Sequence, residues 1–269
     1  AQATVVRRII DGVVSAFAGP RKMKPVLPAS HNLESLAPEQ TLWITVGGFG
    51  STGDGSLPVV PYSWLHMNDN VMDPFHVQVL HSTFSGAQFH PKFALMPKVD
   101  FSYADHGVCY CARRTLEDGQ EMDRISTWLM PNIMAVPDIQ WRAGQAAGVS
   151  WVVPVDDPSF VQAMVMKVPK DSPAFEMRFE GKRWGEMTEA EHQRTPGDFE
   201  AQAGQGPISL HPDAQLVTCN GGIIMQRRLH EKQIDVDAGG GDPIGVSFDP
   251  AQALVKVRSG NFFRATASS

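Results

Sequence analysis

Two histidines and an aspartate sit close together in an otherwise apolar segment, Asp73-Pro74-Phe75-His76-Val77-Gln78-Val79-Leu80-His81, with Asn70 just upstream. Imidazole ligates iron, zinc and copper well, and two imidazoles plus one carboxylate form a facial triad that leaves coordination positions open on non-haem Fe(II). The spacing sets a condition. Five residues correspond to about 140° round an ideal α-helix, so both rings face one ion only if the helix ends or bulges between them. Asp73-Pro74 fits a helix start, with Asp as the cap and Pro at the first helical position. Asp73 would then lie on the His76 face, where a carboxylate accepts from a ligand's second ring N–H.

A third ligand has to come from elsewhere in the chain. The run Thr195-Pro196-Gly197-Asp198-Phe199-Glu200-Ala201-Gln202-Ala203-Gly204-Gln205-Gly206-Pro207-Ile208 offers carboxylates ahead of a Gly-rich turn. Spacing alone does not choose between Asp198 and Glu200. Cys109 and Cys111 share one face of a strand-like run, and without a second Cys/His pair at zinc or iron–sulfur spacing they read as packing thiols.

The elements that must position these groups are mostly strands. Asp11-Gly12 between Val5–Ile10 and Val13–Ala18 signals a β-hairpin. Arg21–Pro28 reads as an extended connector, and Gly47–Gly55 as a mobile loop. Strand patterns follow at Leu42–Val46, Phe93–Met96, Val99–Tyr103, Val108–Arg113, Arg124–Met130, Val149–Val155 and Phe160–Val168, separated by turn signals. Asp171–Pro196 reads as a covering segment with a short helix at Thr188–His192. The best long helix spans Pro212–Asp237, with an apolar stripe of Leu216, Ile223, Ile224, Leu229 and Ile234, and Gly221-Gly222 implies close packing or a kink. A final strand or turn is expected at Val246-Ser247-Phe248. The fold class is α+β: an antiparallel sheet wrapped on a long C-terminal helix.

Composition narrows the partners. The 269 residues carry a formal net charge of −6 and 44 glycines and prolines (24 Gly, 20 Pro), which suits a turn-rich globular domain and no polyanion. With no clustered Lys/Arg, no run of 18 apolar residues and no signal-peptide pattern at the N-terminus, the expectations are no nucleic acid, no membrane and a cytoplasmic location.

The motifs together resemble a known family. Asn70-x-x-Asp73-x-x-His76-x-x-x-x-His81, Asp198-x-x-x-Gln202-x-Gly204-Gln205-Gly206-Pro207-Ile208 and Gly222-Ile223-Ile224-Met225-x-Arg227-Arg228-Leu229 strongly resemble the catalytic domain of Rieske non-haem iron oxygenase α subunits, in the branch of phthalate dioxygenase and related O-demethylases. Val153-Pro154-Val155-Asp156-Asp157 is similar to a recurrent family segment, and Gly12–Pro20 resembles the end of a Rieske domain. The resemblance implies a helix-grip-like catalytic domain at residues 21–269, preceded at 1–20 by a Rieske remnant. His76, His81 and Asp198 would be the Fe(II) ligands, Asp73 the carboxylate that passes electrons, and Asn70 a polar group near the iron.

It further implies a terminal oxygenase that hydroxylates or oxidatively demethylates an aromatic compound, in a homo-trimer or multiple of one, with electrons from a reductase or ferredoxin. A Rieske [2Fe–2S] cluster needs Cys-x-His and Cys-x-x-His pairs. These residues contain neither, so the resemblance places the cluster outside this chain segment. Two departures from the family pattern, Ala203 for an acid and Ser209-Leu210 for Asp-Arg, touch no ligand. Trp128, Met130, Asn132 and Ile133 are candidate substrate-pocket walls, with sheet packing as their plain alternative. The rival functions are a non-catalytic helix-grip module that binds hydrophobic ligands and a zinc hydrolase built on the same triad.

Overall fold

A computed structural model describes residues 6–10, 13–17, 29–30, 37–46, 59–171, 178–179, 182–209, 216–252 and 254–265. The Asp11-Gly12 turn, the Arg21–Pro28 connector and the Gly47–Gly55 loop lie outside them. The strands on either side of that turn, Val6–Ile10 and Val13–Phe17, do pair as an antiparallel hairpin.

Nine strands among the described residues form one open antiparallel sheet. They are β1 (Gln40–Val46), β2 (Lys98–Ala104), β3 (Gly107–Thr115), β4 (Gln120–Leu129), β5 (Ile133–Ala135), β6 (Gly144–Gln145), β7 (Gly148–Asp156), β8 (Ser159–Pro169) and β9 (Gly260–Ala265). The sheet branches at β4. One of its edges pairs with β3, and beyond that β2. Its other edge pairs with β9 over its first half and with β5 at its end, and from β5 the sheet runs on through β7 and β8 to β1.

Side chains alternate between the two faces of each strand. Val108, Tyr110, Ala112, Trp128, Met134, Val152 and Phe160 therefore share one face, where they pack with helix residues in the main core. Leu129, Ala135, Val149 and Val165 face the other way and form a second cluster.

The helices on the main-core face are α1 (Trp64–Val71), α2 (His76–Gln78, continuing as a π-helix through Val79–Phe84), α4 (Asp198–Ala203) and α5 (Gly221–Ala238), while α3 (Glu189–Arg194) buries no residue of its own. Met67, Val71 and Met72 insert from α1 and its end, and Ile223 and Leu229 from α5. The expected close approach at Gly221-Gly222 is present. A Cβ on Gly222 would lie 2.7 Å from the Met72 carbonyl oxygen and 2.8 Å from the Phe101 ring.

Three expectations are corrected. Phe93–Met96 is not a strand; Pro91–Ala94 forms a 3₁₀ turn, with Pro91 at its start and the His90 ring accepting from Lys92 N–H at 3.3 Å. The long helix begins at Gly221 rather than Pro212: Leu216 and Val217 are exposed outside it, and Ile234 is exposed on it. Its buried face is Gly222, Ile223, Gln226, Leu229 and Gln233. In the amide orientation that satisfies its neighbours, Gln226 accepts from Trp128 Nε1 and donates to the Asn68 carbonyl, both at 3.1 Å. Gln233 accepts from Ile244 N at 2.7 Å. Val246-Ser247-Phe248 is irregular, and β9 is the closing strand.

Two stability predictions follow from these contacts. Gly222→Ala improves helix propensity by up to about 1 kcal/mol but places a methyl group against backbone and ring, so urea denaturation is expected to show a net loss of roughly 1–3 kcal/mol. On the opposite face of β4, Asp123 accepts from Arg113 Nε at 2.8 Å and from Arg264 at 2.5 Å. Burial opposes these two hydrogen bonds and is outweighed, so the Asp123 carboxyl is held below its ordinary range. A depressed folded-state value stabilises the fold above the unfolded pKa, and that stability is lost as pH falls through the folded value. Because both arginines are substantially exposed, the effect is about 1 kcal/mol or less. Urea midpoints measured from neutral pH into acid should therefore fall less steeply for Asp123→Asn than for the parent.

Candidate metal centre

The segment that carries both histidines solves the spacing problem by widening. After α2, residues 79–84 follow an i→i+5 π pattern, which brings residues five apart back to one face. Ser82 Oγ donates to the Val77 carbonyl at 2.9 Å and Thr83 Oγ1 to the Gln78 carbonyl at 3.1 Å, each five residues back. The His76 and His81 rings end 5.2 Å apart at a steep angle.

Asp198, the first residue of α4, completes the cluster. Its Oδ1 lies 3.0 Å from His81 Nε2 and 3.7 Å from His76 Nε2. The three ligand atoms lie within 4.8 Å of one another, the only such His/Cys/Asp/Glu group among the described residues. Atoms bonded to one ion at about 2.1 Å are roughly 3 Å apart, so the spacing suits a metal.

The other ring nitrogens make the donor set suitable too. His76 Nδ1 faces the Asp73 backbone carbonyl and His81 Nδ1 faces Gln88 Oε1 at 2.9 Å. Each Nδ1–H donates to an acceptor, so it is each Nε2 that faces the cluster; without a metal His81 Nε2 donates to Asp198 Oδ1, and a metal would take that proton's place. Two imidazole nitrogens and one carboxylate oxygen fit a mononuclear divalent metal of the non-haem Fe(II) type. His81 is 2% exposed, and its ring stacks on Phe89 at 4.0 Å.

The electrostatics are those of a tightly coupled cluster. Burial alone would raise the Asp198 carboxyl, but the His81 hydrogen bond, the charges of His81 and His76 and the Asn70 amide hold it well below the usual carboxylate range. Burial would lower His81, yet Asp198 and Gln88 hold it above its ordinary value. For His76 burial prevails, and its value is lowered.

Asn70 donates from Nδ2 to Asp198 Oδ1 at 2.9 Å, so the structure brings this residue to the cluster. Asp73 is close as well, with one correction. Its backbone carbonyl, rather than its carboxylate, holds the His76 ring; the carboxylate accepts from Phe75 N at 2.9 Å in the turn ahead of α2, which starts at His76 with Phe75, not Asp73, at its N-cap. Between the two acids the spacing left open, the geometry selects Asp198. Glu200 instead accepts from Gly197 N at 2.8 Å and from His192 Nδ1 at 2.7 Å, which fixes the turn that presents Asp198.

Sequence reasoning did not single out Gln88, Ser63 or His66. Ser63 N donates to the Pro207 carbonyl at 2.8 Å, and Ser209 N donates to His66 Nε2 at 3.0 Å. With Asn70 they occupy positions i, i+3 and i+7 along one face of α1, and all three grip the 198–209 segment. Gly206, at φ +84°, makes the turn between the Asp198 helix and that strap. The Asp69 carboxylate pairs with the Arg227 guanidinium, tying α1 to α5.

The four expected wall residues divide. Trp128 and Met130 lie in the main core, whereas Ile133 packs against the second cluster. Asn132 Nδ2 donates to the Val152 carbonyl at 2.6 Å.

The expected metal chemistry is checked by Fe(II) stoichiometry. The parent chain should take up one equivalent, His81→Ala and Asp198→Ala none, and Asn70→Ala should bind about 10-fold more weakly. Asp73→Ala should still bind, because its backbone carbonyl remains.

No family model matches the chain. It is 46% identical over 255 residues to phenoxybenzoate dioxygenase subunit alpha from Ectopseudomonas oleovorans, covering 94% of this chain and 62% of that protein. It is 28% identical to the oxygenase subunit of tert-butanol monooxygenase / tert-amyl alcohol desaturase from Aquincola tertiaricarbonis, covering 81% of this chain and 50% of the relative. Against the 5,5'-dehydrodivanillate O-demethylase oxygenase subunit from Sphingobium sp. the identity is 27%, over 91% of this chain and 55% of the relative. The chain thus spans between half and two thirds of these proteins.

Crystal structures of dicamba monooxygenase, apo and bound to 3,6-dichlorosalicylic acid, each superpose with a TM-score of 0.50 at 12% identity. They cover 88% and 87% of this chain and 70% and 71% of their own. At that identity the likeness is one of fold. Over most of its own length the chain is thus similar to the oxygenase subunits of a dioxygenase, a monooxygenase and an O-demethylase.

Proposed function

We propose that this chain is the catalytic part of a terminal oxygenase component that holds one Fe(II) on His76, His81 and Asp198 and hydroxylates or oxidatively demethylates an aromatic substrate. The observation that carries the reading is the convergence of two Nε2 atoms on Asp198 Oδ1 while both Nδ1 atoms donate elsewhere. A bound Fe(II) supplies the activation of O₂ for transfer to a substrate carbon.

The chain's own residues have simpler tasks. Gln88 and the Asp73 carbonyl orient the imidazoles, and Asn70 orients the carboxylate. The buried stack of Phe89 on His81 keeps water from the back of that ring. Trp128 and Met130 serve as the apolar pocket wall; Asn132 and Ile133 are the weaker candidates, given their sheet contacts. An aromatic substrate is favoured by the 46% relative, a phenoxybenzoate dioxygenase, and by the O-demethylase relative.

Residues 21–269 are assigned to the catalytic domain and 1–20 to the end of a Rieske domain. Electrons then come from a Rieske cluster outside this segment, supplied by a reductase or ferredoxin, and enter through Asp73 in a homo-trimer or multiple of it. Among the described residues no helix is long and apolar enough to cross a membrane. The hydrophobic-ligand module is disfavoured because it gives no role to the convergence of His76, His81 and Asp198. It predicts no iron uptake, and the zinc hydrolase predicts turnover without O₂.

The test is O₂ consumption across a panel of aromatic acids and aryl methyl ethers, with the Rieske domain and a reductase present. Product formation tied to O₂ uptake is expected; hydrolysis in its absence would sink the reading. In that assembly Asp73→Asn should stop turnover while the Fe(II) stoichiometry stays at that of the parent, and loss of iron would reduce Asp73 to a structural support.

A further inference from the structure

We propose that Gln88 is the positioning residue that sets the tautomer of His81 and ties together the two segments that carry the ligands. The proposal rests on the metal-centre reading and deepens it.

A glutamine amide has one oxygen acceptor and two N–H donors, so fixing the donors fixes which end faces a neighbour. Gln88 Nε2 lies 2.9 Å from the Pro196 carbonyl and 3.2 Å from Ser85 Oγ. The Pro196 carbonyl can only accept, so the nitrogen must point there. Oε1 is thereby turned to His81 Nδ1 at 2.9 Å. Facing an acceptor, Nδ1 keeps its proton, so the proton a metal displaces is the one on Nε2, and Nε2 is the nitrogen that can ligate.

The same residue is bound to His81 through the main chain. Gln88 N donates to the His81 carbonyl at 2.8 Å and Phe89 N to the same oxygen at 3.2 Å, while the Phe89 ring stacks on the imidazole. Residues 88 and 89 thus bracket His81 on its backbone, its ring face and its ring nitrogen.

Pro196 stands two residues before Asp198. One amide therefore connects the π-helix that carries His81 to the strand of chain that delivers the carboxylate, across 108 residues of sequence. His76 has no such dependence on a side chain, since its ring is held by a backbone carbonyl.

The test uses the purified chain and three readouts: Fe(II) affinity by chelator competition, the visible spectrum of the Co(II) form, and the thermal midpoint of the metal-free chain. Gln88→Leu should weaken Fe(II) about 10–100-fold and alter the Co(II) spectrum, with the metal-free midpoint near that of the parent. Gln88→Glu keeps the acceptor and loses both donors, and should bind Fe(II) more tightly than Gln88→Leu. If Gln88→Leu does not accumulate as folded protein, Gln88→Asn, one methylene too short to reach Nδ1, takes its place with the same expected loss.

Fe(II) binding within about threefold of the parent and an unchanged Co(II) spectrum in Gln88→Leu would overturn the proposal. So would a Gln88→Glu variant no better than Gln88→Leu. Absence of Fe(II) uptake by the parent chain is a separate result, which removes the metal-centre reading itself.

Discussion

The structure depends on one constraint: two imidazoles five residues apart must present Nε2 to the same carboxylate oxygen. A regular α-helix separates them by about 140°. The chain meets the constraint by opening the turn to a π-helix, a geometry that is uncommon and tends to occur at functional sites. The widened turn is held by the side-chain hydroxyls of Ser82 and Thr83 bonding five residues back. Val77, Phe93 and Met122 pack beneath it in a core cluster of their own.

That support extends into the sheet through a chain of aromatic contacts. Phe89 stacks on His81 and meets Phe93 edge-on at 6.4 Å, and the guanidinium groups of Arg114 and Arg124 lie over the Phe93 ring, 5.2 and 5.0 Å from its centroid. Both arginines are almost wholly buried on the inner face of the sheet. Arg124 is held by the carbonyls of Pro137 and Asp138 and by Asn261, and Arg114 by the Leu95 carbonyl. Burial lowers Arg114 to about 10, so it stays charged at neutral pH. Cation–π contact in a desolvated site is stronger than at the surface, which makes this a stiff backing for the ligand ring.

Strands with regular alternation were legible in the sequence: β2, β3, β4, β7 and β8 lie close to the runs that composition marked. So was the triad, because its residue types are rare in an apolar setting and its motifs resemble a family, and the need for a bulge followed from geometry. What escaped was polar chemistry in apolar places. The β3 pattern seemed to end at Arg113 because Arg114 occupies an inward position that a hydrophobic count rejects. The buried stripe of α5 includes Gln226 and Gln233, so the apolar residues alone gave a stripe displaced toward Ile234. β9 holds buried Asn261 and starts at a glycine, which hides its period. β5 and β6 are too short to show one. Gln88 and His66 carried no spacing signal, since the segments they tie in, at Pro196 and Ser209, lie more than 100 positions away.

The grip of α1 on the 198–209 segment has a consequence for how this region can vary. Ser63, His66 and Asn70 make contact through a backbone N–H, a ring nitrogen and an amide, at points along about 10 Å of helix. Two of those three contacts need a particular side chain, but all three need the length between them. One residue added to or removed from α1 would shift its end by about 1.5 Å and turn it by about 100°, taking Asn70 off the carboxylate while Ser63 still held Pro207. No side-chain replacement could restore that register. The depth at which Asp198 sits is therefore set by a ruler two turns long.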